Sequence, residues 1–133
     1  MGSVKRMDNV LIVVDDLEAV KAFFLELGLK LEGQTTVEGP SVASLIGLKD
    51  VRATLAMMRT PDGQGIELDK FHTPSAIRFG PVDAPVNTLG FRRIMFAVDD
   101  IDGSRRAYAR PRGRAHWRNE VRGHVPASLH PRA

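Results

Sequence analysis

Apolar residues in the first third of the chain fall into two periods. Met7–Val14, apolar and β-branched from Val10 onward, predicts a buried strand. Beyond it Leu17, Val20, Phe23, Phe24 and Leu27 recur at helical spacing and form one face. Asp15 with Glu18 three residues on is a capping-box pattern for the start of that helix, and Gly28 is placed to end it. Leu29–Val37 predicts a second strand, and Gly39–Lys49 a loop with about one helical turn. Val51–Arg59 sets Val51, Ala53, Leu55 and Met57 against Arg52 and Thr54, which is strand alternation. Thr60-Pro61-Asp62-Gly63 has proline and glycine where a turn uses them, and Gly65–Phe71 predicts the fourth strand. Residues 1–72 thus form a βαβββ unit.

The opening of that unit returns. Val10–Ala19, VLIVVDDLEA, recurs 84 residues later as Ile94–Gly103, IMFAVDDIDG, with Val-Asp-Asp in both copies. A repeated strand and helix start predicts two copies of one supersecondary unit. Between them, residues 73–89 contain Pro74, Pro81 and Pro85 and read as a linker. Gly90–Val98 is the expected first strand of the second copy and Asp99–Gly103 its helix start, with Asp100 or Asp102 as cap. The pattern then stops: Pro111 interrupts a helix, and nothing from Arg112 to Ala133 alternates like a strand.

Charge divides the chain at the same place. The overall charge is +3, but Ser104–Ala133 alone carries +7 from eight arginines and one acid, Glu120, leaving −4 on the other 103 residues. Trp117, Tyr108 and three of the four histidines also lie in residues 104–133. An arginine-rich arm with aromatic residues is one pattern for binding nucleic acid. A second origin accounts for the arginines without a partner. The codons of Arg105–Arg132, read one nucleotide later, permit VARMRAHGAELIGEMRYEDTYRLLYIRG, which has a helix and two strands. At the 84-residue offset its glycines at positions 112 and 117 fall against Gly28 and Gly33. The second unit is therefore read as truncated or frameshifted from about Ser104, and nucleic acid as the weaker expectation. A shortened second unit leaves a sheet face and edge uncovered, which favours a homodimer, swapped or side by side.

Composition narrows the classes further. With an apolar share of 43% the chain has enough hydrophobic residues for a core. It has no cysteine, which excludes disulfides and thiolate catalysis and fits a reducing cytoplasm. No apolar run reaches membrane-spanning length and no signal peptide opens the chain. No nucleophile–base pair or phosphate-binding glycine loop is evident, and Gly63-Gln64-Gly65 belongs to the hairpin.

Three segments carry a resemblance: MDNVLIVVDDLEAVKAFFLELGLKLEG, TPDGQGIELDKF and LGFRRIMFAVDDIDG. Over residues 7–103 the chain resembles the vicinal oxygen chelate superfamily, which holds glyoxalase I, bleomycin-resistance proteins and extradiol dioxygenases. The resemblance implies an α+β fold in which a βαβββ module forms a curved mixed sheet. Here that module is paired with an incomplete second one around a cleft. It also implies, for the metal enzymes, ligands on the first and last strands of each module. Carried over, the first-strand histidine falls on Asn9, the last-strand glutamate on Glu67, and the second-module histidine on Arg93. Glu67 is the one surviving metal candidate, and a fixed positive charge at Arg93 opposes a cation. No cofactor is expected.

The reading that follows is a bleomycin-resistance-like protein holding a small organic molecule in the cleft without metal. Strand alternation offers Asn9, Leu11, Met57, Glu67, Phe71, Arg93 and Met95 as cleft residues, with Arg93 facing an anionic group and Glu67 as its counter-charge. The alternative is a metal-dependent lyase or dioxygenase of the same superfamily, with the metal as a Lewis acid. His72, the one histidine before residue 104, is expected at the surface, and Met57 and Met58 in the core or a pocket wall.

Overall fold

The computed structural model describes residues 2–78, 80, 81, 84–100, 102 and 103, and the backbone of 124–127. They fall into two units, Met1–Ile77 and Arg78–Ala133. The first contains β1 (Asn9–Val13), α1 (Leu17–Leu27), β2 (Lys30–Glu38), α2 (Pro40–Ile46), β3 (Arg52–Arg59) and β4 (Gly65–Thr73). Its four strands form one sheet in the order β1-β4-β3-β2. β1 runs parallel to β4, and the other neighbours are antiparallel, so the sheet is mixed and the fold is α+β. The parallel pair is possible because α1, β2 and β3 lie between β1 and β4 in sequence and supply the crossover.

α1 begins one residue later than the capping-box pattern predicts. Asp16, not Asp15, is the N-cap, and its carboxylate accepts from the Ala19 backbone N–H at 3.0 Å. Glu18 turns away from the cap to pair with Lys21 at 2.8 Å. The helix starts at Leu17 because that residue is buried, and the cap must then be the residue before it. Gly28, at φ 104°, closes the helix in a left-handed conformation as expected, with its N–H donating to the Leu25 carbonyl. The stretch expected as a loop with one turn is the seven-residue α2, which Pro40 opens at its first turn.

The core lies between α1 and one face of the sheet. Phe24 of α1 and Ala56, Met58 and Leu68 of the sheet are fully buried, with Ile66 nearly so. Lys21 of α1 donates to Gln34 of β2 at 2.7 Å, which fixes the helix on the face carrying Gln34, Ala56, Met58 and Leu68. The β3–β4 hairpin closes through the predicted turn, where Gly63 N–H donates to the Thr60 carbonyl and Thr60 N–H to that of Gln64. Arg59 ties the sheet together at this end: it pairs with Glu32 on β2 and donates to the carbonyls of Asp8 and Gly63.

The second unit repeats the start of the first. Within the expected strand, Ile94–Ala97 forms β5. Helical backbone begins at 102, and Gly103 N–H donates to the Asp100 carboxylate at 2.8 Å. Asp100 and Gly103 stand 84 residues after Asp16 and Ala19, so the sequence repeat reproduces the same cap. The expectation that no strand follows residue 112 is overturned. His124–Ala127 forms β6, antiparallel to β5, with Val125 opposite Phe96 and Pro126 opposite Met95. A ladder is made by backbone groups and does not require an alternating pattern. A two-stranded ribbon also leaves each strand an unpaired edge, where proline's missing N–H is tolerated. Tyr108, Trp117 and residues 104–123 and 128–133 of the arginine-rich stretch lie outside the described residues. Among the described residues no helix is long and apolar enough to cross a membrane.

Candidate functional site: a carboxyl pair on the sheet face opposite the first helix

Because α1 takes one face of the sheet, alternate side chains occupy the other. The register assembles them into rows. Leu11, Glu67, Met57 and Gly33 lie side by side across β1, β4, β3 and β2, and the next row is Val13, Asp69, Leu55 and Thr35. Phe71 and Ala53 continue the face beyond Asp69, and Asn9 opposite Gly65 continues it before Glu67. Leu11 and Val13 are about half exposed, at 51% and 49%, and Leu55, Met57, Glu67 and Phe71 are half-buried.

Five of the seven residues expected at the site, Asn9, Leu11, Met57, Glu67 and Phe71, therefore share one face of the first unit. The other two belong to the second unit. Arg93 is exposed immediately before β5, and Met95 lies within β5 with its side chain half exposed. Met58, adjacent to Met57 in sequence, faces the opposite way into the core. His72 is exposed at the end of β4, as expected, on the helix side of the sheet. Its Nε2 lies 2.8 Å from Thr54 Oγ1, which in turn lies 2.9 Å from Thr36 Oγ1.

Sequence reasoning did not single out Asp69. Alternation places it beside Glu67, but the register decides that its neighbours across the strands are Val13 and Leu55. Asp69 is 7% exposed, and its Oδ1 is enclosed without a hydrogen-bond partner. Burial pushes its pKa up to about 6; the charge of Glu67 and a hydrogen bond to Glu67 add to the shift. The sequence signal for this site was an acidic i, i+2 pair within an otherwise apolar strand face.

Among the described residues, this face offers a cation few donors. Catalytic cation sites take three or more protein ligands, and among the described residues no three His, Cys, Asp or Glu side chains converge. Glu67 and Asp69 lie two residues apart on one strand, and Asn9 adds only a weak amide oxygen.

Comparison with known proteins agrees with this architecture. Residues 6–114 match the Glyoxalase/Bleomycin resistance protein/Dioxygenase superfamily. A crystal structure of a glyoxalase family protein from Bacillus cereus is similar at 43% sequence identity with a TM-score of 0.80, covering 90% of this chain and 79% of that one. No curated protein matches. The chain belongs to the glyoxalase/bleomycin resistance/dioxygenase superfamily.

Proposed function

We propose that this protein binds a small organic molecule on the face of its first-unit sheet opposite α1, without a resident metal. The observation that carries the reading is the pair of rows Leu11–Glu67–Met57 and Val13–Asp69–Leu55. An apolar surface surrounds two convergent polar groups, the usual composition of a small-molecule site. Superfamily membership is consistent with ligand binding but does not choose the ligand. The face holds no nucleophile with an adjacent base, so binding rather than turnover is the activity it supports.

Two measurements test this reading. Elemental analysis of protein purified without chelators or metal-affinity resin is expected to find far less than one metal ion per chain. Stoichiometric, tightly held metal would reverse the preference in favour of a lyase or dioxygenase. In a fragment screen on protein carrying 13C-methyl methionine, bound fragments are expected to shift the Met57 methyl and leave Met58 unmoved. The two residues are adjacent in sequence and lie on opposite faces of one sheet.

A further inference from the structure

We infer that the ligand of this face is a donor of positive charge: a small apolar molecule carrying a protonated nitrogen that binds between Asp69 and Glu67. This inference deepens the proposed small-molecule reading and rests on it. Asp69 is more than nine-tenths buried, yet its Oδ1 accepts no hydrogen bond. A buried acceptor without a donor is costly, and a ligand N–H that reaches Oδ1 as the side chains enclosing it move aside recovers that cost. Glu67, one pleat away on the same face, gives the same donor group a second acceptor.

The ion pairs of the first unit's described residues leave Asp69 and Glu67 out. Of its three arginines, Arg6 pairs with Asp8 and Arg52 with Glu38, and Arg59, which shares this face opposite Gly65, is paired with Glu32. Lys21 is held by Glu18 and Gln34 on the helix side. Lys70 alternates onto the face opposite Glu67 and Asp69. Arg6, Lys21, Arg52 and Arg59 form their ion pairs with other acids. Leu11, Val13, Leu55, Met57 and Phe71 around the pair offer contact to hydrocarbon or an aromatic ring. The position of the charge, enclosed by apolar groups rather than facing water, selects for an amine joined to such a body over an inorganic cation. It selects against a carboxylate or phosphate, which would add like charge to an unneutralised pair.

The test uses three probes of one shape: 2-phenylethylamine, 2-phenylethanol and phenylacetate. Each is titrated at pH 7.5 into the full chain with 13C-methyl methionine, with Met57 as reporter and Met58 as control. The amine is expected to shift Met57 saturably, with the alcohol weaker by roughly tenfold or more and the acid weaker still, since charge-assisted hydrogen bonds are about twice as strong as neutral ones. Asp69→Asn and Glu67→Gln should each reduce amine affinity by about tenfold while leaving the alcohol within a factor of about three. Either variant alone is sufficient should the other fail to fold. If the alcohol or the acid binds at Met57 as tightly as the amine, the charge inference falls and the small-molecule reading stands. If no probe moves Met57, both fall.

Discussion

Replacing Asp69 by asparagine should stabilise the protein at neutral pH, and the gain should disappear in acid. A carboxyl that folding encloses holds its proton more tightly in the folded state than in the unfolded one. For Asp69 the folded value is about 6 against an ordinary 3.8. Below pH 3.8 the group is protonated in both states and contributes nothing. Well above pH 6 it is ionised in both states, and the full cost of the buried charge is subtracted from stability. A shift of roughly two units at 1.36 kcal/mol each makes that cost about 3 kcal/mol. Asparagine has the same shape, carries no charge, and brings an N–H that Glu67 can accept. Its own buried amide still needs partners, so the net gain is expected at about 1–3 kcal/mol. Urea unfolding of wild type and variant, followed by far-ultraviolet circular dichroism from pH 3.5 to 8, reads the difference directly. The two should coincide near pH 3.5 and diverge through pH 4–6, with the variant more stable at pH 7. An Asp69→Asn variant that is less stable than wild type at pH 7, or a difference that does not change with pH, would refute the reasoning.

Other consequences are local. A methyl group at Gly65 would stand 2.6 Å from the Asp8 carbonyl and 2.7 Å from Arg59 Nη1, closer than real contacts allow. Gly65→Ala should therefore cost about 1–3 kcal/mol in urea unfolding and loosen β1 from β4, visible as faster amide exchange at Val10–Val13. Met58→Ala, in the core, should cost about 2–5 kcal/mol, whereas Met57→Ala next to it should cost less than about 1 kcal/mol. Equal costs would mean that the two faces of the sheet are misassigned. Asp16→Ala should lose about 1 kcal/mol through the missing cap of α1, as judged by thermal unfolding. Finally, the coding DNA near codon 104 is expected to regain a superfamily-like ending on gain or loss of a single base. A reading frame that offers no such ending would remove the frameshift account of the arginine-rich stretch.

Most elements of the first unit were legible because their signals are local. The helical spacing of Leu17, Val20, Phe24 and Leu27 and the alternation in Val51–Arg59 each depend on neighbours within a few residues. Glycine at positions 28 and 63 marked where the chain turned. Errors arose where two residues offered the same local chemistry. Asp15 and Asp16 are both good caps, and only the burial of Leu17 selects between them. His124–Ala127 gave no pattern because its pairing is made by the backbone against a partner 27 or more residues away. The repeat was legible in full as a sequence match, and the twin caps at Asp16 and Asp100 show that it is structural as well.

The site divides in the same way. Alternation alone placed Asn9, Leu11, Met57, Glu67 and Phe71 on faces of their own strands, because successive residues of any strand point to opposite sides. It did not say which faces coincide across strands, since register is set by pairing between segments more than fifty residues apart in sequence. The sequence by itself determined the superfamily, the βαβββ order and the identity of the polar groups. Only the tertiary structure decided that Val13 and Leu55 flank Asp69, that its Oδ1 is left without a donor, and that the arginines of the unit pair with other acids. The cost of a buried carboxyl depends on what surrounds it, and those surroundings are assembled from four strands at once.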